Sequence, residues 1–155
     1  MDGVGMKVAL ACDHRGYECK RKLIPILRGA GHEVTDFGCS DASPSDYPDY
    51  AIPAAKAVTR GEVEVAILID SSGIGMSVVA NKLRGVRAAV VHDEVMARVA
   101  RDANHCNVLC LGIDLSAQDQ MVKIVETFLA TPFSEGRHAR RIEKINQLER
   151  ELFGE

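Results

Sequence analysis

A carboxylate directly before a loop rich in serine and glycine is the first feature of this sequence that could do chemistry. Asp70 ends the strand-like run 67–70, within a segment that reads ILIDSSGIGMS. Glycines let the backbone approach a ligand closely, and the N–H groups at the start of a helix bind anions. The segment therefore has the composition of a site for an anionic group. The members of its loop are Ser71, Ser72, Gly73, Ile74, Gly75, Met76 and Ser77.

The position of Asp70 supports two interpretations. A carboxylate at the end of a strand can cap the helix that follows. It can also act as a general base, provided that burial raises its pKa towards neutrality. The residue types and their spacing leave both interpretations open.

Further candidates for ligand binding occur outside this loop. Asp13 and His14, in CDHRGY, are either a helix cap beside a surface histidine or a pair of substrate ligands. Tyr47 lies in SPSDYPDYA, whose Ser, Asp and Pro residues favour turns. Arg137 and Arg141 stand four residues apart on one helical face. They form either a solvated basic patch or a clamp on phosphate, which suits guanidinium geometry.

The elements that must position these residues alternate in type along the chain. Five runs carry Val, Ile and Leu on consecutive positions, as is typical of parallel strands covered on both faces. They span residues 7–12, 32–38, 64–70, 85–92 and 107–112. Helical patterns lie between and after them, at residues 17–31, 49–60, 74–83, 93–103 and 116–130. We therefore predict a three-layer α/β/α Rossmann-like sandwich with a five-stranded parallel sheet.

Ligands bind beyond the carboxyl ends of the strands in such sheets, so the segments after the first, third and fourth strands are expected to build the site. Within the first helix, Pro25 is expected to kink the helix and Gly31 to end it in a left-handed conformation. An extra C-terminal helix, residues 137–153, carries an apolar stripe and serves no further strand. It is free to pack on the body or on a neighbouring subunit.

Composition and charge argue against several classes of protein. The net charge of the 155 residues is -3, which points to neither nucleic acid nor an anionic membrane. No apolar stretch approaches the roughly 20 residues that a membrane span needs. We expect a single domain over residues 1–155, with residues 1–5 as a short disordered leader and a cytoplasmic address. The five irregularly spaced cysteines are interpreted as buried free thiols, and no Cys/His cluster has the spacing of a zinc site.

These segments together resemble the ribose-5-phosphate isomerase B / galactose-6-phosphate isomerase family. The resemblance runs through KVALACDHRGY, DYPDYA, GIGMSVVANKLRGVRAA and TPFSEGRHARRIEKI, and so covers nearly the whole chain. It implies isomerisation of a phosphorylated aldose to a ketose through a cis-enediol, without a metal or other cofactor. D-Ribose 5-phosphate is the substrate that it suggests first. It also implies a homodimer or homotetramer with active sites between subunits.

The resemblance also implies residue roles. Asp70 would be the base, while Ser72 and the amides of residues 73–77 would stabilise the enediolate, since a proton moved between C1 and C2 needs both. Asn104 matches the asparagine of the family's HN-x-x-N stretch. The substrate ligands would be Asp13, His14, Tyr47 and Asn104, with Arg137 and Arg141 on the phosphate.

The sequence departs from the family pattern at three places. Family members commonly carry a cysteine base where Asp70 stands, and the variant with a glutamate six positions on is excluded by Met76. Ala103 occupies the position of the ring-opening histidine, which leaves that step to His105, His14 or water. Asp114 occupies the position of a phosphate-binding arginine, where an aspartate would repel a dianion by about one to a few kcal/mol.

These departures keep two other functions open. The first is the same chemistry on another sugar, unphosphorylated or shorter. The second is a non-catalytic subunit that pairs with a paralogue, or a module that binds sugar phosphates. A dinucleotide-binding domain fits poorly, because the glycine loop follows the third strand and no G-x-G-x-x-G occurs.

Overall fold

The five apolar runs form one parallel sheet in the computed structural model, which describes residues 5–154. The strands are β1 (Lys7–Cys12), β2 (Glu33–Asp36), β3 (Val65–Asp70), β4 (Ala88–Val90) and β5 (Val108–Gly112). The helices are α1 (Tyr17–Gly29), α2 (Pro48–Thr59), α3 (Ile74–Ala80), α4 (Glu94–Asp102), α5 (Gln118–Ala130) and α6 (Arg137–Phe153). The predicted α/β fold with a five-stranded parallel sheet and an additional C-terminal helix is confirmed.

The strand order places a change of winding direction at the centre of the sheet. The order is β2-β1-β3-β5-β4, and every neighbouring pair is parallel. From β1 the chain crosses to β2 on one side and later to β3 on the other, which leaves a crevice between the carboxyl ends of β1 and β3. Asp13 follows β1 and Asp70 ends β3, so both carboxylates lie at this crevice.

Alternating residues of the central strands supply two apolar cores, one on each face of the sheet. Ile67 and Ile69 of β3 pack with side chains of α1, α4 and α5, whereas Ala66 and Leu68 pack with the alanine-rich face of α2 and with α3. Ile67, Leu68 and Ile69 are completely buried, and each such side chain contributes about 1.5–3 kcal/mol by leaving water. The alternation directs the Asp70 side chain towards the α2 and α3 layer.

The ends of α1 and β4 differ in how closely they follow the sequence pattern. Gly31 has a φ of 95°, which confirms the left-handed stop, and α1 continues through Pro25 to Gly29. β4 has three residues where eight were predicted, because residues 81–87 turn back and the Asn81 amide group bonds both the N–H and the carbonyl of Ala88. Residues 1–4 of the predicted leader lie outside the described residues.

The C-terminal helix α6 buries only a small part of its apolar stripe. Ile142 is 6% exposed, whereas Ile145, Leu148 and Leu152 are 49%, 53% and 66% exposed. A hydrogen bond of 2.9 Å from the Gly85 N–H to Glu149 Oε2 also ties the helix to the body. Within residues 5–154, no helix is long and apolar enough to cross a membrane.

Candidate active site

Asp70 lies at the carboxyl end of β3 and is buried, with 4% of its surface exposed. Its Oδ1 accepts a short hydrogen bond from the Gly73 N–H. Burial raises the pKa of Asp70, and the nearby Asp13 carboxylate raises it further, against the lowering effect of hydrogen bonds from the backbone N–H groups of Gly73, Ser72 and Met76. The residue therefore holds the loop that begins α3, and it is also a carboxylate that keeps its proton to a higher pH than usual.

The loop after Asp70 depends on glycine at a position that other residues adopt with strain. Gly73 has a φ of 77°, and a Cβ there would stand 3.2 Å from the backbone of Leu111 and from Val90 Cγ1. Two serines fix the start of the helix. Ser72 Oγ accepts from the Ile74 N–H at 3.1 Å, and Ser77 Oγ donates to the Ile74 carbonyl at 2.8 Å.

The Gly75 N–H, in the first turn of α3, is left open. The Ile74 N–H is taken by Ser72, and those of Gly73 and Met76 face the Asp70 carboxylate. Among the described residues, none accepts a hydrogen bond from the Gly75 N–H. An unpaired N–H in the first turn of a helix, beside a carboxylate, is the arrangement that can stabilise a developing negative charge on an oxygen.

Tyr47 covers the same turn of α3. A Cβ added at Gly75 would meet the Tyr47 ring at 2.6–2.9 Å, so the ring lies directly on that glycine. Tyr47 is 37% exposed and precedes α2. This contact between Tyr47 and Gly75 is one that no local pattern in the sequence indicates.

Asp13 and His14 organise the segment after β1. The Asp13 carboxylate, 6% exposed, accepts from the Arg15 N–H at 2.9 Å and caps a short 3-10 helix, as one of the two interpretations predicted. The His14 N–H donates to Ser45 Oγ at 3.1 Å, and His14 Nδ1 accepts from the Ser45 N–H at 3.2 Å. Because Nδ1 is an acceptor, Nε2 carries the proton when the ring is neutral.

An ion pair joins the segments after β1 and β5. Arg15 Nη2 donates to Asp114 Oδ1 at 2.8 Å, between side chains that are 46% and 53% exposed. The predicted repulsion between Asp114 and a phosphate dianion is therefore offset by the positive charge of an adjacent guanidinium. The sequence reasoning did not single out Arg15, although its position directly after Asp13 and His14 was the available signal.

Asn104 lies at the opposite end of the sheet. α4 returns from the carboxyl ends of the strands to their amino ends, and Asn104 falls in the turn between α4 and β5. Three residues on, the Asn107 carbonyl accepts from the N–H of Ala66, at the beginning of β3. The exposed Asn104 side chain donates to the Val99 carbonyl at 3.2 Å. Asn104 therefore cannot reach the Asp70 loop of its own chain, which lies about 20 Å away along a six-residue strand.

His105 is engaged in a structural contact at this amino edge. Its φ is 47°, its ring stacks on Phe133 with centroids 4.4 Å apart, and its Nε2 lies 2.8 Å from the Ser134 carbonyl. The carbonyl can only accept, so Nε2 donates. This contact holds His105 at the amino edge, away from the Asp70 loop of its own chain.

Arg137 and Arg141 begin α6, also at the amino edge. The loop before them is joined to the end of α4, because the Ser134 N–H donates to the Asp102 carbonyl at 3.0 Å and the Ser134 hydroxyl contacts the Asp102 carboxylate. Both arginines are exposed, and neither is hydrogen-bonded to a side chain in residues 5–154. The structure thus divides the predicted site residues into one group at the carboxyl edge and another at the amino edge.

The cysteines and the groups that could bind a metal ion are the remaining candidates for chemistry. All five cysteines are buried and free, as predicted. Burial raises the pKa of Cys12 to about 12, and those of Cys19 and Cys106 to about 11, so these thiols stay protonated at neutral pH. In the part of the chain that the structure describes, no three His, Cys, Asp or Glu side chains are grouped so as to hold a metal ion.

The arrangement of strands, loop and carboxylates can now be compared with known proteins. The sequence profile of the family described as Ribose/Galactose Isomerase matches residues 8–145. The chain belongs to this isomerase family. A putative sugar phosphate isomerase of Bacillus subtilis is 41% identical over 93% of this chain and 97% of its own length. Ribose-5-phosphate isomerase B of Escherichia coli is 38% identical over 92% of this chain and 96% of its own length.

Solved structures of the ribose/galactose isomerase family have the same fold. Ribose-5-phosphate isomerase B of Clostridium thermocellum superimposes with a TM-score of 0.92 at 41% identity, over 95% of this chain and 99% of that one. The Mycoplasma genitalium enzyme with bound ribulose-5-phosphate gives a TM-score of 0.89 at 37% identity, over 94% of this chain and 97% of that one. The family resemblance predicted from the sequence is confirmed.

Proposed function

We propose that this isomerase interconverts D-ribose 5-phosphate and D-ribulose 5-phosphate, with Asp70 as the base in place of the family's usual cysteine. The observation that carries the proposal is the Asp70 carboxylate itself. It is buried at the carboxyl end of a central strand, its pKa is raised, and it faces the first turn of α3. A base with a raised pKa is suited to move a proton near neutral pH.

The reaction then follows from this geometry. Asp70 takes the proton from C2 of the open-chain aldose and returns it to C1, while the proton on the C2 hydroxyl passes to the C1 oxygen. The negative charge that develops on the oxygen is stabilised by the Gly75 N–H and by the Ser72 hydroxyl, which keeps its own proton to donate because it accepts from Ile74. Tyr47 lies over Gly75 and excludes water from one side of the sugar.

Opening of the furanose ring is assigned to His14. The Ser45 N–H occupies His14 Nδ1, which directs the proton to Nε2, where it can be donated to the ring oxygen. His105 is unsuited to this role because its ring is stacked on Phe133 and the proton on its Nε2 is already donated to the Ser134 carbonyl. The substitution of Ala103 for the family's histidine therefore does not by itself exclude ring opening.

The active site is proposed to form between two copies of the chain, in a homodimer or homotetramer. Asn104, Arg137 and Arg141 reach the Asp70 loop only if a second copy presents its amino edge to the carboxyl edge of the first. Apolar side chains near the exposed edge strand β4 offer a surface for that contact. Ile74 and Val78 of α3 and Val95 and Val99 of α4 are 57%, 55%, 63% and 48% exposed.

Two other functions remain candidates for this member of the family. The ion-paired Asp114 could accept hydrogen bonds from hydroxyls, which favours the same chemistry on an unphosphorylated or shorter sugar. Ala103 at the histidine position favours a subunit that requires a catalytic paralogue. A cytoplasmic address and a single domain over residues 1–155 stay predictions.

The experiment that separates these functions is an isomerisation assay of the purified protein alone, on ribose 5-phosphate and on free ribose. We expect turnover of the phosphorylated sugar with a kcat/KM at least a hundredfold above that for free ribose. Equal kcat/KM values for the two sugars would support the unphosphorylated alternative. No turnover of either sugar, together with ligand binding in a thermal-shift screen, would support the paralogue-dependent subunit.

A further inference from the structure

The Arg15–Asp114 ion pair crosses the mouth of the crevice that contains Asp70. β1, β3 and β5 are consecutive in the sheet, Arg15 follows β1, and Asp114 follows β5. The bond of 2.8 Å between Arg15 Nη2 and Asp114 Oδ1 therefore bridges the carboxyl end of β3. The Asp114 N–H also donates to the Ser71 carbonyl at 3.0 Å, which fixes the acidic partner to the loop directly after Asp70.

The loops at this edge are strongly acidic. In the described residues, the strand-end loops cover residues 13–16, 37–47, 71–73, 91–93 and 113–117. Arg15 is the one lysine or arginine within these loops. The carboxylates in them or at the end of β3 are Asp13, Asp41, Asp46, Asp70, Asp93 and Asp114. The Lys20 ammonium of α1 also reaches this edge, but it is buried and bonded to Asp36 and to the Cys39 carbonyl. Arg15 is therefore the exposed cation that these loops offer to a dianionic substrate.

The Arg15 side chain retains free donors after it has bound Asp114. Its Nη2 is the guanidinium nitrogen that the carboxylate engages, and among the described residues none accepts from Nε or Nη1. A guanidinium has five N–H groups in a planar fork, so two directions of hydrogen bonding stay available. Asp114 thus orients the Arg15 guanidinium through Nη2 and leaves Nε and Nη1 available to a ligand.

A role for the pair in stability alone would be weak. Exposed ion pairs contribute little to folding, because water screens the charges and two long side chains lose freedom. Both partners here are about half exposed, and they come from segments 99 positions apart in the sequence. The feature that distinguishes this pair from the other surface pairs of the chain is its position above Asp70.

We propose that Arg15, oriented by Asp114, binds the phosphate group of the substrate and determines the preference for a phosphorylated sugar. The inference rests on the proposed function, and it places one phosphate ligand on the same copy of the chain as the base. Arg15 contacts the substrate, whereas Asp114 is a positioning residue that acts through Arg15.

The test compares Arg15→Gln, Asp114→Asn and a matched control, Arg21→Gln, in the intact protein. Arg21 is an exposed arginine of α1 that pairs with Glu18 at 3.5 Å, so its replacement removes the same charge away from the crevice. Arg15→Gln should raise the KM for ribose 5-phosphate about tenfold or more, which is about 1.4 kcal/mol, with kcat within about twofold. The kcat/KM for free ribose and the melting temperature should stay unchanged.

The Asp114→Asn variant tests whether Asp114 orients Arg15 or only repels the phosphate. If Asp114 orients Arg15, its replacement raises the KM for ribose 5-phosphate by a smaller factor, about threefold, and Arg15→Gln then adds less than it does in the wild type. If Asp114 only repels the phosphate, its replacement lowers the KM. The latter result would overturn the positioning role.

A binding measurement keeps this inference distinct from the proposed function. The affinities for ribose 5-phosphate and for inorganic phosphate are measured by calorimetry in the wild type, Arg15→Gln and Arg21→Gln. Loss of binding in Arg15→Gln alone supports the inference even if the wild type shows no isomerase activity. Turnover by the wild type with an unchanged KM and unchanged phosphate affinity in Arg15→Gln would overturn the inference and leave the proposed function standing.

Discussion

The two edges of the sheet differ in how completely they are built within one chain. At the carboxyl edge, Asp13 and Asp70 are buried, and His14 and Ser72 are held by backbone hydrogen bonds. At the amino edge, Arg137 and Arg141 are exposed and bind no side chain of the described residues. A base and its oxyanion donors must be positioned before the substrate arrives, because their effect depends on preorganisation. Contacts within one chain therefore fix Asp13, Asp70, His14 and Ser72, whereas Arg137 and Arg141 have no side-chain partner among the described residues.

The largest effect is expected from Asp70→Asn at the carboxyl edge. Loss of the base should lower kcat for ribose 5-phosphate by about a thousandfold or more, a factor within the usual range for general base catalysis, with ligand binding retained. An unchanged kcat would contradict the assignment of Asp70.

The same variant gives a prediction about stability. The pKa of Asp70 is raised in the folded state, so its protonated form favours folding and this contribution is lost as the pH rises through that pKa. A neutral asparagine should therefore not lower the free energy of unfolding at pH 7. Urea unfolding of both proteins at pH 7 measures this directly.

The division between the edges can be tested by mixing two inactive proteins. Asp70→Asn disables the carboxyl edge and Arg137→Gln the amino edge, so a mixed dimer has one site with both groups intact. Unfolding and refolding an equimolar mixture should restore roughly a quarter of the wild-type activity, since about half of the dimers are mixed and each has one of two sites. Activity no higher than that of the separate variants would show that the two edges do not share a site.

A smaller loss of kcat/KM is expected from Gly75→Ala, which tests whether the contact between Tyr47 and Gly75 belongs to the active site. The added Cβ would stand 2.6 Å from the ring, so Tyr47 must move and the loop with it. A shift of the catalytic groups by about an ångström can lower kcat/KM by up to about a hundredfold. Gly29→Ala in α1 is the matched control, because its Cβ would meet nothing within 4 Å. Equal kcat/KM values in the two variants would remove Tyr47 and Gly75 from the site.

The smallest effect on turnover is expected at His105. His105→Ala removes the ring stack on Phe133 and the hydrogen bond to Ser134, which should lower the free energy of unfolding by about 1–2 kcal/mol. The kcat should change by less than about threefold, whereas His14→Gln should lower it much further. If the two histidine variants exchanged these effects, ring opening would belong to His105.

The sequence predicted the carboxyl edge better than the amino edge, for a physical reason. Consecutive apolar residues indicated buried parallel strands, and the carboxyl ends of such strands meet, so Asp13 and Asp70 could be placed together. Asn104 and Arg137 matched a family pattern, but a pattern does not state which copy of a chain supplies a residue. Contacts between distant segments were equally hidden, as with Arg15 and Asp114 or Tyr47 and Gly75.

The length of β4 was predicted wrongly, because a side chain from outside the strand limits it and the apolar pattern does not show that. The run 85–92 has the composition of a long strand, yet the Asn81 amide group bonds Ala88 and the strand spans Ala88–Val90. The stripe of α6 was predicted correctly as a pattern. The apolar stripe alone does not show whether another part of the same chain covers it, and the structure leaves Leu148 and Leu152 exposed.

The central claim, that Asp70 is the base, is tested most directly by the pH dependence of kcat/KM for ribose 5-phosphate in the wild type and in Asp70→Cys. Asp70 should give a rate that rises through one pKa above the ordinary carboxyl value, because burial and Asp13 raise it. Asp70→Cys should remain active, but its kcat/KM should rise at a higher pH, towards the usual thiol pKa near 8.5. If kcat/KM rose at the same pH in both proteins, another group would be the one that takes the proton.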